Sequence, residues 1–195
     1  MNEGDAPRTD RSWPEVTRLG EERTGESRCS DPAAAAEADI HVVFVCPEIH
    51  GNTGSSGRTC LATGAQLHLV EPLGFSLDDR RVRRAGLDYW ERVRPQVWPD
   101  WPAFEQEMPR YGEPFFFTSE APRELWDIEF PRRSVLVFGR ESVGLDPEVR
   151  EKYADRRVRI PMLDPGIRSL NLSNAVAIVL YEVLRQRNVR PPRPR

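Results

Sequence analysis

Four small polar side chains, Ser169, Asn171, Ser173 and Asn174, fall within six residues where a turn-rich loop, Leu163 to Leu170, meets a long apolar run. A strand, a polar loop and a helix N-terminus in that order present unpaired backbone N–H groups beside hydroxyls and amides, which suits a polar or anionic ligand. Ordinary helix capping accounts for one or two of the four. Two more segments have ligand-holding chemistry. Thr118-Ser119-Glu120 follows Phe115-Phe116-Phe117, and Gly139-Arg140-Glu141-Ser142-Val143-Gly144-Leu145 has two glycines that permit close backbone approach and positive φ. A fourth segment runs from Pro47 to Arg58. Asn52 and Thr53 are candidate caps there, Gly54 and Gly57 thin one helix face, and Arg58 falls about one turn inside, as a functional residue or an ordinary surface arginine. No G-x-G-x-x-G run follows Gly139 and no G-x-x-x-x-G-K-[ST] occurs, which disfavours dinucleotide and P-loop chemistry. A small adenosine-like ligand held by backbone groups remains open.

These loops require a scaffold that gathers them at one edge. Ile40–Cys46 is a near-continuous apolar run rich in β-branched residues, as in a strand buried on both faces. A helix over about 53–63 ends at Gly64, and Gln66–Val70 reads as a strand. Ser76-Leu77-Asp78-Asp79 caps a short basic helix, a weak strand lies near Val93, and a helix covers about 101–108. Pro114–Ser119, Ser134–Gly139 and Arg156–Pro161 read as strands, Asp146-Pro147-Glu148 opens a helix, and a last helix spans about 172–187. The alternation implies an α/β fold with a mainly parallel sheet sandwiched by helices, whose ligands lie at the carboxyl ends of the strands.

The 195 residues suit one domain with extensions. Residues 1–39 hold ten acidic and five basic side chains and few large apolar ones, which predicts a disordered acidic leader. The folded domain is expected over 40–187, with a flexible Pro/Arg tail over 188–195. Beyond the leader, 23 basic side chains face 21 acidic ones, and Lys152 is the only lysine. Arginine forks suit phosphate, although genomic base composition produces the same bias. No apolar run approaches the ~20 residues of a membrane span and no signal-peptide pattern is present, so a cytoplasmic protein is expected. Cys29, Cys46 and Cys60 lack paired spacing and three histidines lack metal-ligand spacing, which predicts free thiols and no metal.

Taken together, Asn52-Thr53-Gly54 with Arg58, then Phe138 to Leu145, then Ile160-Pro161-Met162 with Ser169 to Val176 resemble the ordered motifs of the SPOUT RNA ribose 2′-O-methyltransferases. Glu71-Pro72-Leu73-Gly74-Phe75 and Arg83 to Tyr89 are similar to one branch, the tRNA (cytidine/uridine) 2′-O-methyltransferases acting on the anticodon wobble nucleotide. His50 stands where that branch usually has proline. The resemblance covers about residues 40–186. It implies a C-terminal trefoil knot, a homodimer, and S-adenosyl-L-methionine held by Phe117, Gly139, Ile160, Ser169 and Leu170. Glu141, Ser142 and Asn171 match residues that shape the site.

For the reaction, Arg58, Asn171, Ser169 and Glu141 are the expected catalytic group. A guanidinium stays protonated, so Arg58 is expected to pair with an RNA phosphate rather than act as the base. Asn171 and Ser169 would orient the hydroxyl or the cofactor, or simply cap a helix. Glu141 would act directly, or tie the Gly144 loop to a backbone N–H. Arg80, Arg81, Arg83 and Arg84 form the expected tRNA contact, with Tyr89 and Trp90 stacking on unpaired bases or packing in the core. The last helix offers more apolar surface than one sheet requires, which suits a partner helix or a wider core. Methylation of another tRNA or rRNA nucleotide, a catalytically silent RNA-binding protein, and an unrelated nucleotide-binding module are the alternatives.

Overall fold

The computed structural model describes residues 38–77 and 89–189. Nearly all of the acidic leader, most of the Pro/Arg tail, and the basic segment with Arg80, Arg81, Arg83 and Arg84 lie outside the described residues. The chain runs β1 (Ile40–Val45), α1 (His50–Thr63), β2 (Gln66–Val70), α2 (Trp90–Val93), β3 (Gln96–Trp98) and α3 (Trp101–Glu107). It continues through β4 (Glu113–Phe117), β5 (Arg123–Glu124), β6 (Ser134–Phe138), α4 (Pro147–Lys152), β7 (Arg157–Arg159) and α5 (Leu172–Gln186), with short 3₁₀ turns between. The strand expected near Val93 is instead the helical turn α2, and the strand follows it at Gln96–Trp98. A run this short fits a buried helix as well as a strand, and burial of Val93 under α1 decides for the helix.

The seven strands lie in the order β3-β2-β1-β6-β4-β7-β5, and every pair is parallel. All six residues of β1 are buried, because helices cover both sheet faces. Alternation along the strands divides the core. Val42, Phe44, Leu67, Leu69, Leu136 and Phe138 face α1 and α5, whereas Val43, Val45, Val70, Val135 and Val137 meet Phe104, Met108 and Phe116. On that second face His41 Nδ1 and His68 Nε2 share a buried hydrogen bond of 3.0 Å. Trp98 Nε1 donates to His68 Nδ1, and His41 Nε2 donates to the Ala38 carbonyl. Each ring thus has a use for both nitrogens while neutral.

Helix α1 ends as expected at Gly64, in the left-handed region with φ 72°. Its start differs. His50 is the first helical residue and Ile49 the N-cap, with no side-chain capping bond, so Asn52 and Thr53 do not cap it. Arg58 consequently sits more than two turns along rather than one. Helix α5 packs on α1 and buries Val176, Val179, Leu180 and Val183, leaving Ile178 and Tyr181 exposed.

Candidate active site

Parallel strands deliver their following loops to the same edge, so the segments after β1, β4, β6 and β7 surround one cavity of about 560 Å³. Its apolar wall includes Phe117, Phe138, Leu145, Ile160, Leu170 and Leu172. Phe117 and Phe138 stack with centroids 4.8 Å apart, giving the wall a flat aromatic base. Thr118, Ser119, Glu120, Arg150, Arg168 and Ser169 supply the polar side.

The loop after β6 turns sharply. The N–H groups of Arg140 and Gly144 each donate to the other's carbonyl, and Gly144 takes φ 75°. A Cβ at Gly139 would lie 2.2 Å from the Gly144 carbonyl carbon and 2.3 Å from the Leu145 nitrogen. Only glycine allows this turn, and the turn brings backbone rather than side chain to the cavity. Arg140 pairs with Asp146 at 3.1 Å and joins the loop to the start of α4.

Glu141 occupies the junction of the loops. Its carboxylate accepts from the Glu48 N–H at 2.8 Å, the Ile49 N–H at 3.3 Å and Asn52 Nδ2 at 3.0 Å. Those backbone donors belong to the N-cap residue and the one before it, so Glu141 anchors the chain where it enters α1. Glu48 returns the arrangement, accepting from the Ser142 N–H at 2.9 Å and Ser142 Oγ at 2.7 Å. These bonds hold the Glu48 carboxyl below its ordinary pKa. On the other side Asn171 Nδ2 donates to Asn52 Oδ1 at 2.9 Å. Asn171 Oδ1 caps α5 by accepting from the N–H groups of Ser173 and Asn174. Asn171 is therefore both a cap and a bridge, and Asn52 connects it to Glu141.

Every expected cofactor residue, Phe117, Gly139, Ile160, Ser169 and Leu170, lines the cavity, as do Glu141 and Asn171. Arg58 does not. Its guanidinium carbon lies over the Tyr89 ring, 4.4 Å from the centroid, in a separate surface hollow with Leu61, Ala62 and Arg92. Tyr89 is buried, and one face of its ring is occupied by that cation. Glu48, inside the Pro47–Arg58 segment, and the Arg150–Glu120 pair at 2.6 Å beside the cavity have no role expected from the sequence. Their local signal is only that of surface charges.

The cavity suits an adenosyl ligand. It combines an apolar aromatic slot, a glycine turn presenting backbone, and a polar side whose Arg150 Nε is buried without a partner. Among the described residues no group of three or more His, Cys, Asp or Glu is placed to hold a metal ion.

The SpoU rRNA Methylase family model matches residues 39–181. A tRNA (cytidine(34)-2'-O)-methyltransferase of Burkholderia pseudomallei (strain 1106a) is 49% identical over 149 residues, which cover 75% of this chain and 95% of the relative. A putative tRNA (cytidine(34)-2'-O)-methyltransferase of Bacillus subtilis (strain 168) is 46% identical, over 77% of this chain and 95% of its own length. Among solved structures, one reported as "Structural insights into the 2-OH methylation of C/U34 on tRNA" superposes with a TM-score of 0.72 at 40% identity, covering 76% of this chain and 96% of that one. The SpoU methyltransferase AviRb from Streptomyces viridochromogenes in complex with the cofactor AdoMet gives a TM-score of 0.67 at 28% identity, over 84% of this chain and 64% of that one.

Proposed function

The chain belongs to the SpoU rRNA Methylase family, and from that membership we propose that it methylates the ribose 2′-hydroxyl of the tRNA wobble nucleotide, cytidine or uridine 34. It is an S-adenosyl-L-methionine-dependent tRNA 2′-O-methyltransferase. The observation that carries this reading is the Glu141–Asn52–Asn171 chain, which joins the opening of α1 to two cavity-lining loops.

S-adenosyl-L-methionine supplies an electrophilic methyl on a sulfonium. Phe117, Ile160 and Leu170 would hold its adenosyl part, with the backbone at Gly139 and the Ser169 hydroxyl as polar partners. Both Glu141 oxygens are occupied by donors, so Glu141 acts by fixing the loops rather than as a base. Asn171 likewise positions the cavity wall through Asn52. Because donor and acceptor are simply aligned, orientation supplies much of the rate. Arg58 pairs with a phosphate beside the target sugar, and the hydroxyl proton passes to that phosphate or to water.

Arg58 lies six residues beyond Asn52, roughly 9 Å along the helix and roughly 240° around it. We infer a homodimer in which Arg58 of one protomer works at the cavity of the other, with the exposed Ile178 and Tyr181 of α5 at the seam. The domain over 40–187 carries the knotted cofactor site and the reaction takes place in the cytoplasm. Arg80, Arg81, Arg83 and Arg84 add positive surface for tRNA.

Mass spectrometry of tRNA from a deletion strain tests the target nucleotide. Loss of a ribose methyl at position 34 is expected, and an intact tRNA pool with a missing rRNA ribose methyl would redirect the reading. Mixing an Arg58→Ala protein with a cofactor-site variant tests the shared site, because hybrid dimers then regain one complete centre.

A further inference from the structure

We propose that Arg92, together with Arg58, forms a two-guanidinium seat for one RNA phosphodiester on the α1–α2 face. The inference rests on the reading of RNA as substrate and adds a binding residue outside the cofactor cavity. Gly57 is the origin of the seat. A Cβ there would meet Trp90 Cζ3 at 3.0 Å and Val93 Cγ1 at 3.1 Å, so a hydrogen at this position lets α2 lie directly against α1. The close approach puts Arg92 into the same hollow as Arg58, with Leu61 and Ala62 as its floor.

Tyr89 is the fixed element of this hollow. It is buried, its hydroxyl donates to the Gly54 carbonyl at 3.4 Å, and its ring supports the Arg58 guanidinium at 4.4 Å. A cation held on an aromatic face has lost rotamer freedom before any ligand arrives, while its N–H donors still point outward. The contrast with other arginines is chemical. Arg110, Arg132, Arg140, Arg150, Arg156, Arg159 and Arg185 each pair with a carboxylate, whereas among the described residues no carboxylate pairs with Arg58 or Arg92, nor with Arg94, Arg123, Arg133, Arg157, Arg168 or Arg187; Arg58 and Arg92 are set apart by sharing one hollow. Two like charges beside one hollow repel, and an anion between them removes the repulsion. Planar forks matching phosphate geometry make a phosphodiester the fitting occupant. The roughly 320 Å³ hollow is open, as a backbone-tracking contact requires.

The experiment compares wild type, Arg92→Ala and Arg92→Lys in tRNA binding over a salt series, alongside cofactor binding by calorimetry. Arg92 is exposed on a short helix, so both variants are expected to fold. Arg92→Ala should weaken tRNA binding about tenfold at low salt. It should also reduce the slope of log K against log salt by about 0.7–0.9, the release of one counterion. Cofactor affinity should stay unchanged, KM for tRNA should rise, and kcat should hold. Arg92→Lys should recover the salt slope and part of the affinity. Gly57→Ala, which forces Trp90 and Val93 outward, should reproduce the loss with Arg92 intact. An Arg92→Ala protein with wild-type affinity and slope overturns the seat, while a wild-type protein that binds no tRNA overturns the functional reading itself.

Discussion

Asn171 donates through Nδ2 to Asn52 Oδ1 at 2.9 Å across 119 residues of sequence, while its own Oδ1 caps α5. One carboxamide thus fixes both a helix terminus and the approach of α1 to the cavity, and the two duties separate by substitution.

Asn171→Ala should lose both, destabilising the protein by about 1 kcal/mol through the missing cap and reducing turnover sharply. Asn171→Ser keeps a capping oxygen but cannot reach Asn52. Its melting temperature should stay near wild type while turnover remains low. Thermal denaturation beside single-turnover kinetics distinguishes the two, and a fully active Asn171→Ser protein would remove the bridge from the reaction.

Arg58→Ala should lower turnover on the order of a hundredfold and leave cofactor affinity unchanged, since Arg58 lies outside its own protomer's cavity and is assigned to an RNA phosphate rather than to the cofactor. Arg58→Lys should restore little, because an ammonium lacks the planar fork. A lysine variant with most of the activity would exclude bidentate phosphate positioning.

Two glycines near the site, one in the loop after β6 and one in the first turn of α1, should respond oppositely to alanine. At Gly139 a Cβ meets backbone at 2.2 Å, so Gly139→Ala should distort the turn and abolish cofactor binding in calorimetry. At Gly51 no atom lies within 4 Å, and Gly51→Ala in the first turn of α1 should hold or raise the melting temperature, by up to about 1 kcal/mol of helix propensity.

The His41–His68 pair makes stability pH-dependent. Burial lowers the His41 pKa to about 4 and holds His68 well below its ordinary value. The unfolded chain therefore binds more protons than the folded one below about pH 6.5, and stability falls as pH drops from there towards 4. Each excluded proton contributes a slope of about 1.4 kcal/mol per pH unit. Urea denaturation of wild type should show that slope between pH 6.5 and 4. A His41→Phe, His68→Leu double variant should flatten it, and an unchanged slope would assign the acid sensitivity elsewhere.

Five of the seven strands, the parallel sheet and the loops that line the cavity were legible in the chain because each depends on near neighbours; β5 at Arg123–Glu124 was not expected and β3 was placed too early. The β-branched run at Ile40–Val45 suits a strand covered on both faces, Gly64 can adopt a left-handed cap, and Gly139 and Gly144 permit a tight turn. Those preferences act over a few residues and leave a readable pattern. Which side chains meet across the molecule leaves no such pattern. Asn52 was a sensible helix cap by local rules, yet the order β2-β1-β6-β4 sets Glu141 over the start of α1, where it takes the Glu48 and Ile49 N–H groups and the Asn52 amide. The direction of Arg58 followed from where α1 begins, three residues earlier than its local signals suggested, and from the contact Gly57 makes with α2. A helix turns by roughly 100° per residue, so small shifts in its start and its packing partners decide which pocket a side chain serves.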